Sequence, residues 1–157
     1  MSFQIGEKVI HWSFGLSEIV GIERKVLEGQ QTECYVVSVA DMLIWIPILE
    51  QQRGLRPPTP PEEFETCFAI LSGNGQKLSE DRIQRRNQLL SQLRDGQLAS
   101  TCQVVRDLTT FKQTTKLNDQ EKSILDQAIK SLLNEWSYSL NVSISQAQQQ
   151  LNSLLGI

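Results

Sequence analysis

Residues Phe3 to Pro47 read FQIGEKVIHWSFGLSEIVGIERKVLEGQQTECYVVSVADMLIWIP and consist of short segments rich in β-branched and aromatic residues. The segments are separated at Gly6, Gly15, Glu28-Gly29 and Ala40-Asp41. Short strand-like segments between turn signals are typical of a small barrel built from hairpins. The stretch therefore predicts a compact β module.

The segment at residues 42–49 is almost entirely apolar. Because alternate strand residues point to opposite faces, one set packs into the module and the other faces outward. The inward set is Met42, Ile44 and Ile46. We expect Leu43 and Trp45 to face outward, where an exposed apolar strand can pair with a strand of another protein. The alternative is that the rest of the chain covers this strand.

The pattern changes at residues 54–61, which read GLRPPTPP. Before this proline-rich segment the apolar residues tend to alternate, and after it they recur every three or four positions. We therefore predict an α+β protein, with a small β-barrel domain at residues 1–57 and an all-α domain at residues 58–157.

Helix signals follow one another through the second domain. Asn118 and Glu121 have the spacing of a capping box, and Gly96 can form the corner between two helices. Ser79 and Ser143 are the expected N-caps of two further helices. The longest apolar stripe is Leu125, Ala128, Ile129, Leu132, Leu133, Trp136 and Leu140, which indicates the core of a helical bundle.

The sequence lacks the patterns of an enzyme. His11 is the single histidine, and no nucleophile, carboxylate pair or glycine-rich phosphate loop accompanies it in a recognisable motif. Cys34, Cys67 and Cys102 are too widely spaced for a zinc motif and are expected in the core. We therefore expect no catalytic residue, no metal, no cofactor and no small-molecule substrate.

Two further features bear on location and partners. The chain has no run of about 18 apolar residues and does not begin like a signal peptide, so we expect a cytoplasmic protein without membrane contact. Its formal charge is −3, with no strong asymmetry between the halves. Any contact with nucleic acid must therefore use a local basic patch.

The candidate patch lies on the helix expected from Ser79 to Asp95. Arg82, Arg85 and Arg86 are three or four positions apart in two pairs, so they are predicted to share a face that could span neighbouring phosphates. The alternative is an ordinary solvated helix face.

Several segments together resemble the CarD/CdnL family of bacterial transcription regulators and the related polymerase-interacting domain of transcription-repair coupling factors. In the first half they are QIGEKVIHWSFG, IVGIERKVLEGQQTECYVV, DMLIWIP and GLRPP. In the second half they are RRNQLLSQLRDGQLASTCQVVRDL and KLNDQEKSILDQAIKSLLNEW. The resemblance therefore spans nearly the whole chain.

The resemblance implies a Tudor-like β module that binds the β subunit of RNA polymerase and an α module that contacts promoter DNA beside the melted region. The implied polymerase-binding positions are Lys25 and Trp45, beside Leu43. The family's second basic position is tryptophan here. Arg82 occupies the place of a tryptophan that wedges into the minor groove in the family.

We therefore expect a non-enzymatic transcription regulator that binds RNA polymerase and contacts promoter DNA weakly, within the polymerase complex, to modulate open-complex stability. We also expect it to be a monomer. One alternative is a protein-interaction adaptor without DNA contact, in which Trp12, Phe14, Tyr35 and Trp45 serve a partner. The other is an enzyme of a kind that the sequence does not reveal.

Overall fold

A computed structural model describes residues 2–50 and 54–157 of the chain. The chain divides into two compact units between Pro58 and Thr59, one residue beyond the boundary expected from sequence. Strands occupy the first unit and α-helices the second. No helix in the described part is long and apolar enough to cross a membrane.

The first unit is an antiparallel sheet. Its strands are β1 (Lys8–His11), β2 (Gly15–Leu27), β3 (Gln30–Val39), β4 (Met42–Pro47) and β5 (Leu55–Arg56). They lie side by side in the order β4-β3-β2-β1-β5, and the described strands form an open sheet because β4 and β5 are not neighbours. A 3-10 turn at Ile48–Glu50 follows β4.

Two tight turns set the register of the sheet. Glu28 and Gly29 both adopt positive φ, as a type I′ hairpin requires, and pair Leu27 with Gln30. Ala40 also has positive φ and, with Asp41, pairs Val39 with Met42. Both turns lie where the sequence predicts them.

The core of the sheet lies on one face. It contains Phe3, Val9, Ile19, Tyr35, Val37, Val39 and Leu55, with Ile44, Ile46 and Ile48 packed against it. The Tyr35 hydroxyl accepts a hydrogen bond from the Phe3 N–H at 2.9 Å. Met42, which was expected inside, is 46% exposed because it begins β4 directly after the turn.

The second unit contains five α-helices among its described residues. A 3-10 turn at Pro61–Glu63 precedes them. The helices are α1 (Phe64–Ser72), α2 (Arg82–Leu93), α3 (Leu98–Lys112), α4 (Asp119–Leu140) and α5 (Ile144–Leu155). Their core includes Leu71, Leu89, Leu108, Leu132, Trp136 and Leu151, all nearly inaccessible to solvent.

Helix caps agree with the sequence at two ends and differ at a third. Asn118 with Glu121 forms a capping box at α4, and Ser143 caps α5, as predicted. Helix α2 starts later than expected, because its N-cap is Asp81, whose carboxylate accepts from the Gln84 N–H. Ser79 instead accepts from the Asp81 N–H, so its prediction as the N-cap was wrong.

These observations confirm the α+β class, with a β module followed by an all-α module. Cys34, Cys67 and Cys102 are all buried, as expected for core residues. Part of the proline-rich segment belongs to the sheet, because β5 pairs with β1 through Leu55 and Arg56. The segment is therefore not a free tether along its whole length.

Candidate interaction surfaces

The first candidate surface is the face of the sheet opposite its core, which we call the Lys25–Trp45 surface. Trp45 lies opposite Val36 on β3, and Lys25 lies opposite Thr32 on the same strand. Since Thr32 and Val36 are four residues apart on one strand, they share a face. Leu43 shares it too, two positions before Trp45. The structure thus brings together the three residues singled out from sequence.

The indole of Trp45 is fixed from two sides. Its Nε1–H donates a hydrogen bond to a carboxylate oxygen of Glu23 at 2.8 Å. The ammonium of Lys25 lies 3.6 Å from the centre of the ring, within the range of a cation–π contact. Sequence reasoning missed Glu23, although its position two residues before Lys25 places it on the same face of β2.

This fixed ring forms part of a thin second layer over the sheet. Cys34 and Val36 point toward the same side as Trp45, yet both are buried. Burial raises the pKa of the Cys34 thiol, and the nearby charge of Lys25 opposes that rise in part. The Lys25–Trp45 surface is therefore an ordered layer on an apolar base.

The edge of the sheet adjoins this surface. β4 ends the strand order and, within the described residues, has β3 as its one neighbouring strand. Leu43 on this strand is 52% exposed, while Trp45 is half-buried. An edge strand presents unpaired backbone groups to which another strand can add. The surface thus offers both backbone hydrogen bonds and apolar contacts.

The second candidate surface is a groove in the helical unit, which we call the basic groove. It lies between the start of α2 and the loop that leads into α4, and has a volume of about 720 Å³. Its lining is Arg82, Ile83, Arg86, Lys116, Leu117, Asn118, Asp119, Gln120 and Lys122. Four of these side chains are cationic and one is acidic. The groove is therefore electropositive although the chain as a whole is acidic.

Each wall of the basic groove comes from a different element. Arg82 and Arg86 are one turn apart on α2, and Lys116 and Lys122 lie before and within the first turns of α4. Ile83, on the α2 wall, is 70% exposed. Lys116 and Lys122 were not predicted from the sequence, because periodicity within one helix cannot show which other element lies opposite. The sequence did show that Lys116 and Lys122 lie on either side of Asn118, the predicted N-cap, and so near one helix end.

Arg85 does not belong to this exposed set. It is 9% exposed, and its Nε–H donates to Glu121 at 2.5 Å. One terminal nitrogen donates to the backbone carbonyls of Ser79 and Glu80, and the guanidinium lies 4.8 Å from the centre of the Phe111 ring. The expectation that Arg85 shares an exposed face with Arg82 and Arg86 was wrong, because Arg85 lies with Leu89 on the buried side of α2.

The carboxylate that receives Arg85 also caps α4. Glu121 accepts from the Asn118 N–H at 3.1 Å, while the Asn118 side chain accepts from the Glu121 N–H at 2.8 Å. Burial alone would raise the pKa of Glu121, but the hydrogen bonds from Arg85 and Asn118 outweigh it and hold the pKa below its ordinary value. Glu121 is therefore a charged partner of Arg85 at neutral pH.

His11 has a structural role in the β module. Its Nδ1 accepts hydrogen bonds from the backbone N–H groups of Ser13 and Phe14 at 3.1 and 3.2 Å. Burial lowers the pKa of His11, which favours the neutral ring that can accept them. Within residues 2–50 and 54–157, no cluster of three or more metal-binding side chains occurs.

Comparison with known proteins assigns both halves of the chain. Residues 3–58 match the family model described as "CarD-like/TRCF RID domain", and residues 66–152 match the one described as "CarD, C-terminal domain". The "Putative transcription factor YdeB" of Bacillus subtilis (strain 168) is 29% identical over 140 residues, covering 85% of this chain and 89% of the relative. The order of the two matches is the order of the sheet and the helical unit. The chain therefore belongs to the CarD-like family of transcription factors.

Proposed function

We propose that this protein binds the β subunit of RNA polymerase through the β4 edge and the Lys25–Trp45 surface, and contacts promoter DNA through the basic groove. The observation that carries the proposal is the position of Leu43 and Trp45 on a strand at the edge of the sheet. Together these contacts modulate the stability of the open promoter complex. The RID-domain match supports interaction with polymerase in general.

The geometry of Trp45 favours a protein partner. A large aromatic side chain that is already held in place loses little conformational freedom on binding, so more of its contact energy appears as affinity. Glu23 and Lys25 provide that restraint. A strand added to β4 would contribute main-chain hydrogen bonds, while Leu43 and Trp45 would supply side-chain contacts.

The charge of the basic groove supports contact with DNA phosphates. Arg82, Arg86, Lys116 and Lys122 line one concavity, and such side chains position a protein on a duplex without reading its sequence. Arg82 can contact phosphates or enter a narrow minor groove, but it cannot stack at an opened base step as an indole does. DNA contact in this chain therefore rests on charge.

Weak DNA contact suffices in this arrangement. The helical unit at residues 58–157 has ten basic and eleven acidic residues, so its overall field does not attract DNA strongly. Once the β module is bound to polymerase, the tethered groove meets the promoter at a high effective concentration. This is the physical reason to place DNA contact within the polymerase complex.

Reconstitution with purified polymerase tests the proposal. The full chain should bind a purified β-subunit lobe and should change the footprint on a polymerase–promoter complex. Failure to bind the lobe would overturn the polymerase assignment. Binding to polymerase with an unchanged footprint would instead favour an adaptor that does not contact DNA.

A further inference from the structure

We infer that Arg85 and Glu121 are positioning residues for the basic groove: they do not contact the ligand but hold the two cationic walls at a fixed separation. The inference rests on the proposed DNA contact. It assigns a function to the one arginine of the predicted trio that is buried. A positioning role differs from phosphate contact in ways that binding measurements can separate.

The pair lies directly behind the groove. Residues 82, 83 and 86 line it from α2, and residues 116–120 and 122 line it from the other wall, whereas neither Arg85 nor Glu121 is among the lining residues. Each partner is therefore next in sequence to a cationic residue of its own wall. The ion pair between Arg85 and Glu121 therefore links the two backbone segments that carry Arg86 and Lys122.

Arg85 connects more than two helices. Its guanidinium donates to the carbonyls of Ser79 and Glu80, which precede α2, and contacts Phe111 at the end of α3. Glu121 completes the capping box that starts α4. All segments that form the walls thus converge on one buried ion pair. A planar guanidinium can donate hydrogen bonds to all of these partners at once, whereas a lysine ammonium lacks the forked arrangement of donors.

Neutralising Glu121 separates position from charge. Glu121→Gln removes a negative charge beside four cations, so a groove that worked by field alone would bind DNA more tightly. If the ion pair positions the walls, binding should instead weaken, because Arg85 loses its charged partner and the walls separate. The field effect and the positioning role therefore predict changes of opposite sign in DNA affinity.

The experiment measures the affinity of the full-length protein for a short fluorescent DNA duplex at several salt concentrations. We expect Glu121→Gln to weaken binding about three- to tenfold. The matched control is Asp119→Asn, which removes an exposed acidic charge within the groove itself. This control should tighten binding about twofold. Tighter binding by both variants would overturn the positioning role.

A second variant guards against loss of folding. Arg85→Gln with Glu121→Gln replaces the ion pair by two neutral amides that can still hydrogen-bond each other, and a glutamine at position 121 can still complete the capping box of α4. The net charge is unchanged, so a pure field effect predicts unchanged affinity, and a positioning role predicts a several-fold loss with thermal unfolding preserved. Unchanged affinity would refute the inference.

The proposed DNA contact can fail separately. Arg86→Ala with Lys122→Ala removes two cations that line the groove and leaves the buried pair intact. If this variant binds DNA as the wild type does, the groove is not the DNA site, and the proposed DNA contact falls together with the inference. If this double variant binds DNA more weakly but Glu121→Gln does not, the proposed DNA contact is supported and only the positioning role is refuted.

Discussion

The two interaction surfaces differ in what they offer a partner. The Lys25–Trp45 surface has an open strand edge, an exposed leucine and an indole held by Glu23 and Lys25. The basic groove has four cationic side chains and one acidic one around an exposed isoleucine. The first surface specifies geometry, because strand pairing and apolar packing need a matching shape. The second offers charge, which is what the proposed contact with DNA phosphates would use.

This difference predicts that the two surfaces respond to salt to different degrees. Contacts to phosphates release counterions, so their affinity falls steeply as salt rises. Strand addition and burial of an indole depend far less on ionic strength. With the proposed contacts, the protein would remain bound to polymerase across a range of salt concentrations, while its affinity for DNA would change.

Charge reversal in the basic groove should have the largest effect. Arg86→Glu with Lys122→Glu replaces two phosphate contacts by repulsion, and charged hydrogen bonds contribute about 1.5–3 kcal/mol each. We expect DNA affinity to fall by about 100-fold or more at low salt. Equilibrium binding to a labelled duplex measures this.

The control for this variant is Lys130→Glu, which reverses an exposed charge on the same helix outside the groove. It should change DNA affinity little. Binding of the β-subunit lobe should be unaffected by any of these changes. In addition, each phosphate contact that is lost should reduce the salt dependence by about one unit of slope. A steep salt dependence that survives the double reversal would locate the DNA site elsewhere.

Loss of the indole should have the next largest effect, on the other surface. Trp45→Ala removes a pre-positioned aromatic anchor, and such anchors contribute about 2 kcal/mol or more. We expect affinity for the β-subunit lobe to fall about 30-fold, nearly independently of salt. DNA binding by the same variant should be unchanged.

Trp12→Ala provides the matched control. Trp12 is also exposed, but it follows β1 at the other side of the sheet order. If polymerase binding depends on Trp12 and not on Trp45, the β4 edge is not the interface. Titration by fluorescence or calorimetry at two salt concentrations distinguishes these outcomes.

The two surfaces also differ in how far the sequence predicted them. Alternation along β4 predicted that Leu43 and Trp45 share a face, whereas Lys25 was named only because the family resemblance implied it. The register set by the turns at Glu28-Gly29 and Ala40-Asp41 brings Lys25 onto the same face. The second layer over Cys34 and Val36 was not foreseen, because it depends on side-chain packing across three strands.

The groove could be predicted only in part. Arg82 and Arg86 were found from their spacing on one helix, but Lys116 and Lys122 become their neighbours only through packing of α2 beside α4. The same packing buries Arg85 against Glu121, which helical spacing alone could not distinguish from exposure. Tertiary contacts, not local propensity, determined which charges are available.

Acidification should have the smallest effect and should act on the β module first. Because burial lowers the pKa of His11 from its usual 6.5, the unfolded chain takes up the proton before the folded one. Stability contributed by neutral His11 is therefore present above pH 6.5 and is lost as the pH falls through the lower folded value. The pKa of Glu121 lies below its ordinary carboxylate range because of the hydrogen bonds from Arg85 and Asn118, so its charge is unaffected where the unfolded chain begins to protonate His11. The helical unit should accordingly remain stable where the β module weakens.

His11→Asn separates this titration from the turn itself. An amide oxygen can accept the same backbone N–H groups that Nδ1 accepts, but it does not titrate. After correction for the intrinsic effect of pH, the Ser13 and Phe14 amides should lose protection from hydrogen exchange as the pH falls below 6.5 in the wild type and keep nearly constant protection in the variant. Equal pH dependence in both proteins would show that the Nδ1 contacts do not control the turn. Since the turn presents Trp12 and not Trp45, polymerase binding should be least sensitive to this change, which again separates the strand edge from the rest of the module.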